Sequence, residues 1–210
     1  FGGVAGDFER FTFRELYTQN PFIQSNVSLT NQNTPYRLHA GIKGAFSDLI
    51  SYRSEISYAR INGMPFFVND TLGAPRTGFE AVYDQANLTT ISAGLNFHYG
   101  EKMEVDLQGR YRLVSLSNLN EAWHFPPLDI RLAARYQLGE KMLFKADLAF
   151  ISGQRARVFN QDSTGAKTEG FIDLNPTFDV RLGATYRLTE KLGFFLDMNN
   201  FAAFRYNRFY

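Results

Sequence analysis

The sequence of 210 residues contains no cysteine and only three histidines. Without cysteine, the chain can form neither a disulfide framework nor a thiolate metal site. The histidines, His39, His98 and His124, do not form a His-x-His or His-x-x-x-His pair, which are the spacings that bring two imidazoles onto one metal. The sequence therefore predicts no metal site and no cofactor.

Long apolar runs and a strong net charge are also missing. No run approaches the roughly 18 to 20 apolar residues that a membrane helix needs. The net charge of +1 gives no electrostatic reason to expect a nucleic-acid partner. No basic and apolar leader follows Phe1, so we expect a mature or internal segment.

No Gly-x-Ser-x-Gly run occurs, and the carboxylates Glu104 and Asp106 have arginine neighbours, so neither catalytic residues nor an enzyme is predicted.

The dominant feature of the sequence is an alternation of apolar and polar residues with a period of two. Aromatic residues are frequent, with 21 Phe and 11 Tyr. Successive side chains of a strand point to opposite faces, so each alternating segment is predicted to be a strand with one apolar face. The predicted strands cover residues 36–47, 49–61, 79–99, 103–115, 127–138, 142–152, 171–188 and 192–200. Residues 1–35 are predicted to be partly loop, with an additional strand near Phe8 to Tyr17. The whole of 1–210 is thus predicted to be one all-β domain.

The connections between these strands are alternately short and long. The short ones are Ser47-Asp48, Gly100-Glu101-Lys102, Gly139-Glu140-Lys141 and Thr189-Glu190-Lys191, and the last three share Glu-Lys. The long ones, 62–78, 115–127 and 152–170, hold the Pro, Asn, Asp and Gly that loops need. Short periplasmic turns and longer external loops are typical of outer-membrane barrels.

Three considerations favour a membrane barrel over a soluble barrel or sandwich. The interior of an eight-stranded barrel is just filled by side chains, and the many Phe, Tyr, Leu and Ile would overfill it. The predicted strands reach the roughly 9 to 11 residues of a tilted membrane-crossing strand. Tyr99, Tyr136 and Tyr186 lie just before short turns, where interfacial aromatic girdles are expected. A soluble lipid-binding β-protein remains the alternative.

The segment Leu196-Asp197-Met198-Asn199-Asn200-Phe201, with Arg205-Tyr206, resembles the penultimate strand of TonB-dependent receptors. Gly41-Ile42-Lys43-Gly44, Phe67-Val68-Asn69-Asp70, Ala122-Trp123-His124 and Gly170-Phe171-Ile172-Asp173-Leu174-Asn175 resemble the C-terminal barrels of Bacteroidota TonB-dependent-receptor-like proteins. The plug domain and the TonB-engaging segment of that family have no counterpart here. Phe209-Tyr210 follows directly on a predicted loop, so the closing strand is expected to be missing.

This resemblance implies an antiparallel up-and-down transmembrane β-barrel, or a partial barrel of about eight to ten strands, in the bacterial outer membrane. It implies part of a nutrient uptake protein, and the alternative is a non-transporting structural or assembly subunit of an outer-membrane complex. The expected partners are the lipid bilayer, lipopolysaccharide and other proteins of such a complex.

Two groups of residues are candidates for a functional site. The polar strand face is predicted to line the barrel lumen with Arg37, His39, Lys43, Arg53, Glu55, Asp106, Arg110, Arg112, Asp129, Arg131, Arg135, Asp179 and Arg181. These residues form either a polar conduit, in which Arg110, Arg112, Arg131 and Arg135 select anions, or cross-strand ion pairs that brace the lumen. The ion-pair interpretation is favoured because carboxylates alternate with the arginines.

The second group is aromatic and is predicted to lie in external loops. It consists of Phe66, Phe67, Trp123, His124 and Phe125. Exposed aromatic loops are candidates for binding a ligand or a partner protein. The same side chains could instead fold inward and pack on the lumen wall, and the sequence does not separate the two.

Overall fold

A computed structural model describes residues 1–24, 27–69, 78–161 and 167–201 of the chain. These residues form eleven strands and one helix. In chain order the elements are β1 (Gly2–Glu9), α1 (Phe13–Gln19), β2 (Gln32–Ser47), β3 (Ile50–Asn69), β4 (Phe79–Tyr99), β5 (Met103–Leu116), β6 (Leu128–Leu138), β7 (Met142–Ile151), β8 (Gln154–Gln161), β9 (Lys167–Leu174), β10 (Thr177–Arg187) and β11 (Gly193–Met198).

Nine of these strands form one antiparallel sheet in the order β1-β2-β3-β4-β5-β6-β7-β10-β11. Strands that are consecutive in the chain are neighbours in this sheet, except that the separate hairpin β8–β9 is inserted between β7 and β10. The up-and-down order confirms the predicted all-β class and fits a partial barrel. In the described part of the chain, no helix is long and apolar enough to cross a membrane.

The strand register gives the sheet two different faces. Ile56 lies opposite Ile91, which lies opposite Tyr111, and these apolar residues define the face that we call outer. Residues one position away define the inner face, where Glu55 lies opposite Ser92 and Ser92 lies opposite Arg110. The large apolar side chains of the outer face are widely exposed, as Ile91 is at 42%. Exposed apolar surface of this extent marks a contact with something other than water.

One end of the sheet, which we call the turn end, carries only short connections among the described residues. Gly100 and Gly139 open two of the Glu-Lys turns with φ values of 52° and 60°. A side chain at such a φ costs roughly 1 to 2 kcal/mol, so glycine suits both positions. Thr189 opens the third turn, and its hydroxyl oxygen accepts a hydrogen bond from Leu192 N at 3.0 Å. The opposite end, the loop end, carries the longer connections.

Several predicted boundaries differ from the structure. The alternation predicts one strand over 171–188, whereas β9 ends at Leu174 and β10 begins at Thr177, and β9 pairs only with β8. Pro176 lies between them and has no backbone N–H to donate to a ladder. The connection predicted over 152–170 therefore contains β8 and part of β9. Asp70, Arg205-Tyr206 and Phe209-Tyr210 lie outside the described residues.

The additional strand predicted near Phe8 to Tyr17 is also wrong in its position. Strand β1 ends at Glu9, and the residues after it turn into helix α1. Thr12 caps this helix, because its backbone N–H donates to the Glu15 carboxylate at 2.6 Å and its hydroxyl accepts from Glu15 N at 3.4 Å. This reciprocal capping box satisfies backbone donors that a helix start leaves free.

Strands β3 and β4 extend further towards the loop end than the other strands. The register between them shifts from Ile61↔Ala86 to Met64↔Asp84, so two residues of β3 lie opposite one residue of β4. This is a β-bulge, and it contains Gly63 at a φ of 75°. Beyond the bulge the even-numbered residues of β3 occupy the inner face, which the odd-numbered residues occupy before it. The connection predicted over 62–78 is therefore largely strand.

Buried apolar residues lie on both sides of this extended β3–β4 hairpin. The inner cluster contains Ala59, Ile61, Met64, Phe66, Val68, Ala86 and Trp123. The outer cluster contains Phe11, Leu16, Ile23, Phe67, Phe79 and Ala81. The loop between β5 and β6 thus packs on the inner face, and the segment that contains α1 packs on the outer face.

Candidate functional site

A concave region on the inner face, about 770 Å³ in volume, is the candidate functional site. Strands β2 to β6 form its wall, on the turn-end side of the inner cluster. Its polar and charged lining consists of Lys43, Ser51, Tyr52, Arg53, Ser92, Asn96, Asp106, Gln108, Arg110, Asp129 and Arg131. Both signs of charge are present, so the region is suited to a polar ligand and not to an apolar one.

The residues predicted to line the lumen all lie on the inner face by register. Lys43, Arg53, Asp106, Arg110, Asp129 and Arg131 line the concave region itself. Arg37 and His39 lie on β2, opposite Ala59 and Ser57. Glu55 lies opposite Ser92 on β4. Arg135 lies nearer the turn end, opposite Glu104 and Lys145. Asp179 and Arg181 lie on β10, opposite Ala149 and Asp147.

Three ion pairs form among these residues. Arg53 contacts Glu55 at 3.0 Å and Arg181 contacts Asp179 at 3.2 Å. Each of these pairs joins residues two apart on one strand, and each arginine is more than half exposed. Exposed pairs of this kind stabilise a protein by only about 0 to 1 kcal/mol.

The third ion pair, between Arg112 and Asp129, joins β5 to β6 and is much less exposed. The two side chains are 18% and 17% exposed. The Arg112 guanidinium also donates to Pro126 O at 2.9 Å and lies over the Phe125 ring, 5.6 Å from its centre. Arg112 therefore braces the sheet and holds the end of the β5–β6 loop at the same time.

Arg110 and Arg131 differ from the other arginines of this region. Within the described parts of the chain, neither guanidinium has a carboxylate oxygen within 4 Å. Asp129 lies directly opposite Arg110 in the register, but its carboxylate is bound by Arg112. The ion-pair interpretation thus describes Arg53, Arg112 and Arg181, whereas Arg37, Arg110, Arg131 and Arg135 form no ion pair among the described residues.

Asp84, which no sequence motif singles out, fastens the β5–β6 loop to the sheet. Its side chain is 3% exposed. It accepts hydrogen bonds from Asn118 N at 2.9 Å, Asn118 Nδ2 at 2.7 Å, Leu119 N at 2.8 Å and Gln85 N at 2.8 Å. Burial acts to raise the pKa of Asp84, but these hydrogen bonds outweigh burial and lower it. An acidic residue at an inner-face position otherwise occupied by apolar residues is the one sequence signal that could have identified it.

The predicted external-loop aromatics are not exposed. Phe66 and Phe67 lie within β3 and are 1% and 8% exposed, and Trp123 is 2% exposed. The bulge places Phe66 on the inner face, where its ring meets Phe125 edge to face at 6.3 Å. The interpretation of these residues as an exposed loop surface is therefore wrong, because they complete buried clusters on the two sides of β3.

His124 joins the β5–β6 loop to both the sheet and the β8–β9 hairpin. Its Nδ1 lies 2.8 Å from Phe67 O, and since a carbonyl only accepts, Nδ1 is the donor. Its backbone N–H donates to Arg155 O at 2.9 Å. The ring also lies edge-on to Phe79, 5.2 Å between centres. Burial lowers the pKa of His124, and the hydrogen bond to Phe67 only partly offsets this effect.

A cluster of charges around Arg155 completes the attachment of the β8–β9 hairpin. The Arg155 guanidinium contacts Glu121 of the β5–β6 loop at 2.6 Å and Asp173 of β9 at 3.5 Å. It also lies over the Phe171 ring at 4.5 Å. The loop and the hairpin therefore form one connected layer on the inner side of the loop end.

The architecture is similar to that of several solved outer-membrane proteins. No family model and no curated protein matches the sequence. The copper transporter OprC matches with a TM-score of 0.64 at 16% identity, over 98% of this chain and 32% of that chain. The pyoverdine outer membrane receptor FpvA from Pseudomonas aeruginosa PAO1 matches with a TM-score of 0.63 at 14% identity, over 99% and 30%. The ferric-catecholate import receptor Fiu from Escherichia coli K12 matches with a TM-score of 0.59 at 12% identity, over 99% and 29%.

These similarities define the class of fold. The neighbours are TonB-dependent outer-membrane receptors, matched in their barrel region. At this level of identity the likeness shows the fold and does not show a shared ligand. The chain spans about a third of the length of the solved chains it matches. The nine-stranded sheet thus has the fold of part of a transmembrane β-barrel, similar to the barrel region of these receptors.

Proposed function

We propose that this chain forms part of the wall of a TonB-dependent-receptor-like uptake protein in the bacterial outer membrane, with its inner face lining the passage for a nutrient. The observation that carries this proposal is the difference between the two faces of the sheet. The outer face is apolar and exposed, whereas the inner face is concave and charged. Such a sheet is matched to lipid on one side and to water and a polar solute on the other.

The height of the apolar band supports a membrane position. On the outer face of β4 the residues from Ile91 to Tyr99 are apolar, and Thr89 and Asn87 follow towards the loop end. A tilted strand crosses the hydrocarbon core with about 9 to 11 residues, which matches this band. Tyr36 and Tyr58, with ring centres 6.3 Å apart, lie at the loop-side boundary, where aromatic girdles occur.

The same boundary carries the residue that we propose as a contact for lipopolysaccharide. Arg60 is exposed and lies opposite Tyr36 and Asn87 on the outer face, just beyond the apolar band. A guanidinium at this height is suited to the anionic headgroups of outer-leaflet lipid. A source in Bacteroidota is proposed on the sequence resemblance alone.

The edges of the sheet require further strands. Among the described residues, β1 and β11 each pair with a neighbour on one side only. Unpaired backbone groups in the hydrocarbon core each cost several kcal/mol. We infer that strands from the same protein or from another chain complete the barrel.

One observation favours a second candidate function, that of a non-transporting structural or assembly subunit. The β5–β6 loop and the β8–β9 hairpin fold over the inner face and occupy space at the loop end of the passage. A barrel that serves only as a structural subunit can tolerate such an obstruction, whereas an uptake protein must move it or route the solute past it.

Cysteine labelling tests both the membrane orientation and the function. Because the chain lacks cysteine, Ile91→Cys and Ser92→Cys place single thiols at adjacent residues on opposite faces of β4. In intact outer membranes we expect a charged maleimide to label position 92 and a lipophilic maleimide to label position 91. Equal labelling of both positions by the charged reagent would refute the proposed orientation.

The same variants separate uptake from a structural role. Energised uptake moves protein segments inside the barrel, so the labelling rate of Ser92→Cys in cells should change when a protonophore collapses the proton gradient. Ile91→Cys is the matched control and should be unaffected. An unchanged rate at position 92 would favour the structural subunit.

A further inference from the structure

Two arginines of the concave region lie close to each other, and no carboxylate of the described residues lies within 4 Å of either guanidinium. Arg110 on β5 lies opposite Asp129, and Arg131 on β6 lies opposite Gln108. The two arginines are therefore diagonal neighbours on adjacent strands, a spacing at which backbones are about 7 to 8 Å apart and long side chains can meet. Both side chains are exposed to the concave region and line it.

The nearby carboxylates are already engaged by other groups. Asp129 binds the Arg112 guanidinium. Asp106 accepts a hydrogen bond from Gln108 Nε2 at 2.7 Å. Glu55, two strands away from Arg110 in the same row of the sheet, is paired with Arg53. The described residues thus give Arg110 and Arg131 no ion pair, although carboxylates lie on the same face.

A third guanidinium, that of Arg112, lies near Arg110 and Arg131. Arg110 and Arg131 both repel Arg112, whose own charge is offset by Asp129. An anion placed between two guanidinium groups would remove this repulsion and would gain charge-assisted hydrogen bonds from both.

We propose that Arg110 and Arg131 form a binding site for the oxyanion group, carboxylate or phosphate, of a ligand in the concave region. This inference rests on the proposed function, since it assigns a class of solute to the passage. Each guanidinium presents a planar fork of N–H donors that matches two oxygens of a carboxylate or phosphate. The neutral side chains of Ser92, Asn96 and Gln108 also line the region, so hydrogen-bonding groups are available to the rest of an anionic solute.

Titration calorimetry on the complete protein in detergent tests the site. The probes are sodium phosphate and sodium citrate, each against a constant chloride background at low ionic strength. We expect saturable binding of at least one probe, with citrate alone indicating a carboxylate ligand and phosphate alone a phosphorylated one. Raising the ionic strength should weaken this binding, because salt screens an open site.

Arg110→Gln and Arg131→Gln should each weaken binding about tenfold, the effect of losing one charge-assisted hydrogen-bonded contact. The double variant should show no saturable binding. Lys145→Gln is the matched control, because it removes one positive charge from the inner face of β7 outside the concave region, and it should bind like the unmodified protein. An equal loss in Lys145→Gln would overturn the site, since the effect would then come from overall charge.

The labelling pattern of Ser92→Cys shows whether each variant retains the folded barrel. If the protein that carries only Ser92→Cys has that pattern and the unmodified protein binds neither probe, the anion site is refuted. The anion site and the uptake function fail separately. If the labelling rate at position 92 depends on the protonophore but no anion binds, only the anion site is refuted. If an anion binds but the labelling rate does not depend on the protonophore, only the uptake function is refuted.

Discussion

Removing the Phe66 side chain should release the β5–β6 loop from the inner face. Phe66 is 1% exposed and is the largest fully buried side chain of the inner cluster, beside Trp123 and Phe125. Burial of roughly 150 to 250 Å² at about 25 cal/mol per Å² corresponds to about 4 to 6 kcal/mol. This is an upper estimate, and replacing a buried Phe by Ala typically costs about 3 to 5 kcal/mol. Since Phe66 contacts the loop from the strand, much of this loss falls on the docked loop.

The change can be measured by fluorescence, because Trp123 is the sole tryptophan of the sequence. In the unmodified protein its ring is 2% exposed, so its emission should be blue-shifted and poorly quenched by acrylamide. A loss of about 3 kcal/mol lowers the ratio of docked to undocked loop roughly a hundredfold. Phe66→Ala should therefore shift the emission to the red and increase the quenching constant.

Phe46→Ala is the matched control, because it removes the same side chain from a position on the outer face that is 72% exposed. It should leave the fluorescence of Trp123 unchanged. Unchanged emission and quenching in Phe66→Ala would contradict the docking of the loop on the inner cluster. An equal change in both variants would show that the effect is one of general destabilisation.

Three further outcomes follow from the geometry of the loop and of the bulge. Burial lowers the pKa of His124 below the ordinary value of 6.5, so the undocked loop binds a proton more readily than the docked loop. Docking is therefore fully stable above about pH 6.5 and weakens as the pH falls below it. Acrylamide quenching of Trp123 should rise on acidification of the unmodified protein, and it should not rise in His124→Gln. Arg112→Gln leaves the little-exposed Asp129 without its cation and should lower the stability of the docked β5–β6 loop by about 1.5 to 3 kcal/mol. Proteolysis of this loop should then be faster, and cleavage at the rate of the unmodified protein would argue against a role of Arg112 in holding the loop. Gly63 has a φ of 75°, and a Cβ added there would lie 2.5 Å from a carbonyl oxygen. Gly63→Ala should therefore lower the free energy of unfolding in urea by at least about 1 to 2 kcal/mol. Gly109→Ala, where a Cβ meets open space, should have no such effect, and equal effects would refute the strain argument.

The two faces of the sheet could be predicted from the sequence because alternation is a local property. Once strands pair without a shift, residues such as Glu55, Ser92 and Arg110 share a face whatever their distance along the chain. The class of fold followed from this alternation and from the pattern of short and long connections. Helix α1 was also within reach, since Thr12 and Glu15 have the spacing of a capping box.

The bulge in β3 could not be predicted in the same way. Gly63 and Pro65 are residues that usually mark a loop, yet the strand continues through them to Asn69. One extra residue reverses which positions face inward, so Phe66 and Phe67 exchange the faces that the preceding alternation predicts. Nothing in the local sequence separates such a shift from the end of a strand.

The choice of partner for Asp129 was also beyond the sequence. Alternation places Arg110 and Arg112 on the same face of β5, and the register puts Asp129 directly opposite Arg110. The structure nevertheless pairs Asp129 with Arg112, whose guanidinium is also held by Pro126 O. A long flexible side chain selects its partner according to every contact that it can make at once, and these contacts depend on the folded loop.

The extended β3–β4 hairpin has a consequence for the order in which the protein folds. It is covered on the inside by the loop after β5 and on the outside by the segment before β2, so this three-layered core draws on residues from Phe11 to Phe125. In the proposed orientation the core stands in water beyond the hydrocarbon band, because the hairpin and its two covers all lie at the loop end. Contacts so distant in sequence form late, because their loop-closure entropy must be overcome first. Pairing of the membrane strands should therefore precede formation of the outer core, and a protein arrested between the two steps would have a complete wall and an uncovered, protease-sensitive hairpin.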